Sequence, residues 1–90
     1  MPELQVFELS PEEWTILEFH EGKDSVNSLQ IENELSLEHR LVLESLHLLH
    51  YDGLIYFVSQ RLGADESVIS KINSKGLEFL RSHNSNLFKS

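Results

Sequence analysis

Ninety residues and 10.4 kDa leave room for one small domain and exclude a second core of ordinary size. The chain is 40% hydrophobic with 16 leucines and 24% charged, which excludes both a disordered tail and a membrane span. Fifteen acids against seven bases give a net charge of -8, repelling nucleic acid on average, and the lack of cysteine removes disulfides, thiolate nucleophiles and Cys-ligated zinc.

The first segment, residues 1–9, reads as an N-terminal arm with Leu4, Val6 and Phe7 as its apolar side chains. Met1-Pro2-Glu3-Leu4 has neither a basic n-region nor a long apolar run, so no signal peptide is expected and a reducing cytoplasm is the expected compartment. Ser10-Pro11-Glu12-Glu13 then opens a helix: Ser10 caps it, Pro11 suits its first position, Glu13 closes a capping box, and Leu9 can staple against Trp14. This helix should run from Pro11 to about Glu21 and stop at Gly22, with Trp14, Ile16, Leu17, Phe19 and His20 covering most of its circumference. In that arc His20 reads as a hydrogen-bonded core residue.

Val26 suits a brief strand, and Asn27 with Gln30 reads as a second capping box. A short helix follows over Ser28–Leu35, burying Leu29, Ile31 and Leu35. Ser36 then reads as the cap of a third helix, from Leu37 to about Asp52, which Gly53 ends. After Gly53 the pattern changes to strand-forming residues, Leu54 to Leu62 and Ser67 to Ile72, joined by the hairpin loop Gly63-Ala64-Asp65-Glu66. Asn73 caps a last helix through Ser82 that buries Leu77, Phe79 and Leu80, and residues 84–90 read as a flexible tail. Residues 10–83 form the domain. Its fold class is α+β: three helices, a two-stranded hairpin and a closing helix.

Two stretches in this order carry a family resemblance. Leu48-Leu49-His50-Tyr51-Asp52-Gly53-Leu54-Ile55 resembles the end of the third helix and the entry to the wing in the winged helix-turn-helix superfamily. Ile72-Asn73-Ser74-Lys75-Gly76-Leu77-Glu78-Phe79-Leu80 is similar to the segment that closes the wing in MarR- and PadR-type regulators, where threonine is more usual at the position of Asn73. The resemblance spans about residues 10 to 83. It implies a transcriptional regulator, dimeric as is common in the superfamily, with helix three in the major groove and the wing beside the backbone of duplex DNA.

The residues themselves give that expectation uneven support. Residues 1–52 carry 12 acids and two bases, whereas residues 53–90 carry three acids and five bases. If Val42, Leu46 and Leu49 face the core, helix three turns Arg40, Glu44, His47 and Tyr51 outward, flanked by Leu37, Leu41, Leu43 and Leu48. One Arg, one Glu and several leucines favour packing on a partner or on the N-terminal arm over phosphate contact. Arg61, Lys71 and Lys75 around the wing could supply a small basic patch, or a solvated face. The nucleic-acid candidates are therefore Ser36, His39, Arg40, Arg61 and Lys71, and the interface candidates are Leu37, Leu41 and Leu48. The competing reading is an acidic protein-interaction module, in its extreme form a nucleic-acid mimic, that does not itself bind DNA.

His47 and His50 are spaced i, i+3, with Glu44 one turn and His39 further back. Such spacing is common by chance, and surface or interface histidines are favoured over a metal site. No nucleophile elbow, phosphate loop or metalloprotease pattern occurs, and Glu12-Glu13 is explained by helix capping. Neither catalysis nor a cofactor is expected.

Overall fold

The computed structural model describes residues 9–63 and 66–89, with side chains as far as Ser82. The arm residues Leu4, Val6 and Phe7, and Ala64 and Asp65 of the hairpin loop, lie outside the described residues. The elements run α1 (Pro11–Phe19), β1 (Val26–Asn27), α2 (Ser28–Leu35), α3 (His39–Tyr51), β2 (Ile55–Arg61), β3 (Ser67–Ile72) and α4 (Ser74–Lys89).

The capping box at α1 forms as its sequence requires. Ser10 Oγ accepts from the Glu13 N–H at 3.2 Å while the Glu13 carboxylate accepts from the Ser10 N–H at 2.8 Å. The helix ends earlier than Glu21. Its last turn tightens into shorter-range bonds, His20 N–H to the Leu17 carbonyl (3.1 Å) and Glu21 N–H to Glu18 (3.0 Å), and Gly22 then takes φ +79°. At α2, Asn27 Oδ1 accepts from the Leu29 N–H at 2.8 Å, a simple cap at the second helical position and not a capping box with Gln30. Ile31 is fully buried, Leu35 packs against the core, and Leu29 stays on the solvent side at 42% exposure.

Ser36 does the opposite of what its residue type suggests. It adopts the left-handed conformation (φ 55°) and ends α2, its N–H bonded to the Glu32 carbonyl. A residue reversing the chain there cannot hold the extended conformation of an N-cap, so α3 begins later, at His39, after Glu38, which makes no side-chain cap bond. Helix α3 buries Val42, Leu43, Ser45, Leu46 and Leu49. Leu43 thus belongs to the inner side, not to the outer face.

The strands make one antiparallel sheet in the order β1-β3-β2, so the wing hairpin is extended to three strands by β1. Ile16, Leu17, Ile31, Val42, Leu46, Leu49, Leu54 and Leu80, all at 0% exposure, show that every helix contributes to a single core. Trp14 closes it, edge-on to Phe79 at 5.6 Å between ring centroids.

Asn73 joins the two halves. Its Oδ1 accepts from the Gly76 N–H (2.8 Å) at the start of α4, and its Nδ2 donates to the Gly53 carbonyl (2.7 Å) at the end of α3. Threonine could replace only the first bond. Asn73→Thr is therefore expected to cost about 1 kcal/mol despite being an adequate cap, read as a lower urea midpoint. Helix α4 itself continues to Lys89, beyond the expected stop at Ser82. No helix among the described residues is long and apolar enough to cross a membrane.

Candidate nucleic-acid interface

The outward stripe of α3 carries Arg40, Glu44, His47, Leu48 and Tyr51, all exposed, with Leu48 at 52% and Tyr51 at 86%. This is the stripe that burial of Val42, Leu46 and Leu49 demands. Of the leucines beside it, Leu41 is half-buried, and Leu37 is half-buried and packed against the core. Ser36 is exposed at the turn between α2 and α3. His39, in the first turn of α3, is 44% exposed and its Nδ1 donates to Glu32 Oε2 of α2 at 2.5 Å.

The wing has a feature that strict alternation does not contain. Ile55, Tyr56 and Phe57 pair with Ile72, Lys71 and Ser70, but Ser59, Gln60 and Arg61 pair with Ile69, Val68 and Ser67. One residue, Val58, is bulged out of the ladder. Without it Arg61 would share the inward face of Ile55 and Phe57. With it, the residues opposite Lys71, Ile69 and Ser67 are Tyr56, Ser59 and Arg61, and all six lie on one face of the hairpin. Arg61 is exposed, Tyr56 is 44% exposed and Lys71 is half-buried. Two cations, the Tyr56 phenol and the exposed Ser59 hydroxyl share this face with Ile69 and the buried Ser67, and the first four suit phosphate oxygens. The apolar phase of Ile55 and Phe57 breaks at Ser59 and Arg61, consistent with the shift without fixing it.

Phe57 turns to the other side, as its alternation with Tyr56 requires. The His50 ring stacks on it at 4.5 Å and 11°, and His47 meets it edge-on at 5.3 Å and 87°. This trio links α3 to the wing by ring contact. Among the described residues no three His, Cys, Asp or Glu side chains come together as a metal site would need.

His20 sits at 1% exposure between α1 and β3. One ring nitrogen, Nδ1, lies 2.8 Å from the Ile16 carbonyl and so carries the proton, while Nε2 accepts from Ser70 Oγ at 2.8 Å. Burial pushes this imidazole below its ordinary 6.5; the bond to Ile16 opposes the shift and Lys23 adds to it. Burial also pushes the Asp52 carboxyl up, assisted by Glu13 and opposed by Lys75, whose Nζ donates to the Asp52 carbonyl at 3.2 Å. Both groups sit where elements meet, away from the outer face of the wing.

A helix-turn-helix followed by a β-hairpin and a closing helix, with the short β1 completing the sheet, is the winged helix fold. Solved structures share it. A transcriptional regulator homologue from Pyrococcus horikoshii OT3 superposes with a TM-score of 0.75 at 19% identity, over 89% of this chain and 79% of that one. The A103V mutant of MepR from a multidrug-resistant S. aureus isolate gives 0.73 at 17% identity, over 90% and 59%. ZitR of Lactococcus lactis, a zinc-responsive MarR family member, gives 0.70 at 18% identity, over 99% and 61%. The chain thus spans about three fifths of the length of the latter two. No protein-family model and no curated protein sequence matches the chain.

Proposed function

We propose that the protein is a small, non-catalytic regulator of transcription, working in the cytoplasm as a homodimer. It binds duplex DNA with α3 in the major groove and the wing along the phosphate backbone. The observation that carries this reading is the bulged hairpin, which collects Arg61, Lys71 and Tyr56 on one face of a domain that is otherwise acidic. His39 and Arg40 lie in the first turn of α3, where recognition helices make their contacts, and Ser36 lies in the turn that precedes it. The winged helix regulators quoted above add support at the level of fold.

With so few cations, each protomer neutralises few phosphates, so the affinity should fall only gently with salt, and a symmetric pair doubles the contacts. Titration of a fluorescein-labelled duplex between about 50 and about 200 mM salt tests the reading. Arg61→Glu or Lys71→Glu is expected to weaken binding about tenfold at low salt and to flatten the salt slope by about one. A wild-type protein that binds no duplex at low salt would refute it.

One observation favours a second reading. Leu48 and Tyr51 are exposed beside Glu44 on α3, a combination that suits a protein partner better than a phosphate. A module of that kind would sediment as a complex with its partner, lose it on Leu48→Glu, and be indifferent to Arg61→Glu.

A further inference from the structure

The pair Glu32–His39 ties the two helices of the helix-turn-helix together on their exposed side through Nδ1 of the ring, and among the described residues no hydrogen bond to Nε2 is formed. His39 Nδ1 donates to Glu32 Oε2 at 2.5 Å, with the histidine side chain 44% and the glutamate 20% exposed. Because Nδ1 must carry the proton in that bond, neutral His39 presents Nε2 as a lone pair. In that state the pair carries a net negative charge and an outward acceptor, both repelled by a phosphate. Adding one proton at Nε2 reverses both properties: the pair becomes neutral overall, and Nε2–H becomes a charge-assisted donor.

We propose that Glu32 and His39 form a proton-dependent phosphate contact on the DNA side of the helix-turn-helix, in which Glu32 fixes the ring and a proton taken up at Nε2 makes the hydrogen bond to the phosphate oxygen. The contact rests on the DNA reading above and gives it a regulation: affinity rises as the pH falls. Glu32 is here a positioning residue and His39 the contacting one. The other charged groups on these two helices near the pair in sequence are Glu34 on α2, and Glu38 and Arg40 on either side of His39; Glu12 of α1 lines a cavity with Leu35 and Leu37 at the turn.

The test uses a fluorescein-labelled mixed-sequence duplex titrated with the whole chain at about pH 6 and about pH 8, a span within which histidine as a residue type changes charge. His39→Asn keeps a neutral donor for Glu32 and cannot be protonated. The wild type should bind several-fold more tightly at the lower pH, with a salt slope steeper by about one than that of His39→Asn. At the higher pH the two proteins should coincide. His50→Gln, at the other end of α3, should keep the wild-type difference. His39 is exposed and both proteins retain His20, so acid effects on stability cancel between them. The role of Glu32 is read separately by nitrogen NMR of the ring at about pH 8: Nδ1–H in the wild type, and loss of that preference in Glu32→Ala. Equal salt slopes for wild type and His39→Asn at both pH values overturn the inference while leaving DNA binding standing. An unchanged tautomer in Glu32→Ala overturns the positioning. Absence of any binding by the wild type at either pH overturns the regulator reading and this contact with it.

Discussion

Of the four glycines, Gly76 should tolerate an added methyl group least, with Gly76→Ala strongly destabilising. A Cβ at Gly76 would stand 2.3 Å from the Leu54 carbonyl oxygen and 2.7 Å from Cγ1 of Ile72. The Leu54 oxygen cannot retreat freely, because it accepts the Asn73 N–H at 3.2 Å and belongs to the chain that carries α3 into β2. Helix α4 would have to lift away, breaking the Asn73 bridge between Gly53 and Gly76 and uncovering Leu80. Overpacking of this kind costs about 3 kcal/mol or more. For a domain of this size that lowers the melting temperature by more than about 12 °C. Gly22→Ala is the comparison: at φ +79° with open space around it, it incurs only the backbone penalty of about 1 kcal/mol. Thermal melting by circular dichroism separates the two. Equal melting temperatures for both variants would mean that α4 shifts off the Leu54 carbonyl without cost.

The second large effect comes from His20. Its folded-state pKa is depressed below 6.5 by burial, so the unfolded chain takes up this proton first as the pH falls. The stability it supports is whole above pH 6.5, declines between 6.5 and the lowered folded value, and falls no further on its account below that. Urea midpoints taken from about pH 7.5 down to about pH 5 should decline as the pH falls below the ordinary histidine value. Ser70→Ala removes the hydroxyl that donates to Nε2 at 2.8 Å and leaves a buried acceptor unmatched, at a cost of about 1 to 3 kcal/mol near neutral pH. A stability flat across this pH window would show that the ring is solvated or rearranged, contrary to its 1% exposure.

Much of the fold is legible in the sequence because its punctuation is local. Ser10 with Glu13, the stop at Gly53 and the cap at Asn73 each act within a few residues, and each structure follows directly from that chemistry. Local chemistry is overridden where geometry at a distance prevails. Ser36 is a fine cap by residue type, yet the reversal between α2 and α3 needs a left-handed residue at that point. Leu43 is turned inward because the inner side of α3 is broader than Val42, Leu46 and Leu49 alone suggest. Charge singles out Arg40, Arg61 and Lys71, and position on the third helix adds Ser36 and His39, but neither fixes their placement in space. That Arg61 and Lys71 share a face depends on the ladder register, and that Glu32 holds His39 depends on how two helices cross. Neither has a local signature that fixes it, although the break in apolar phase after Phe57 points toward the first.

The unmatched residue in the wing makes its chemistry a matter of counting as well as composition. A strand carries a phase, and everything beyond Val58 is read with that phase inverted. Substitution of Val58 leaves the inversion in place, whereas removing the position would return Arg61 to the side of Phe57 with every charge in the chain conserved. For a wing of this kind, spacing between the hairpin's aromatic end and its basic end is therefore the quantity under constraint, and two sequences of identical composition can differ in whether the hairpin offers a cationic surface at all.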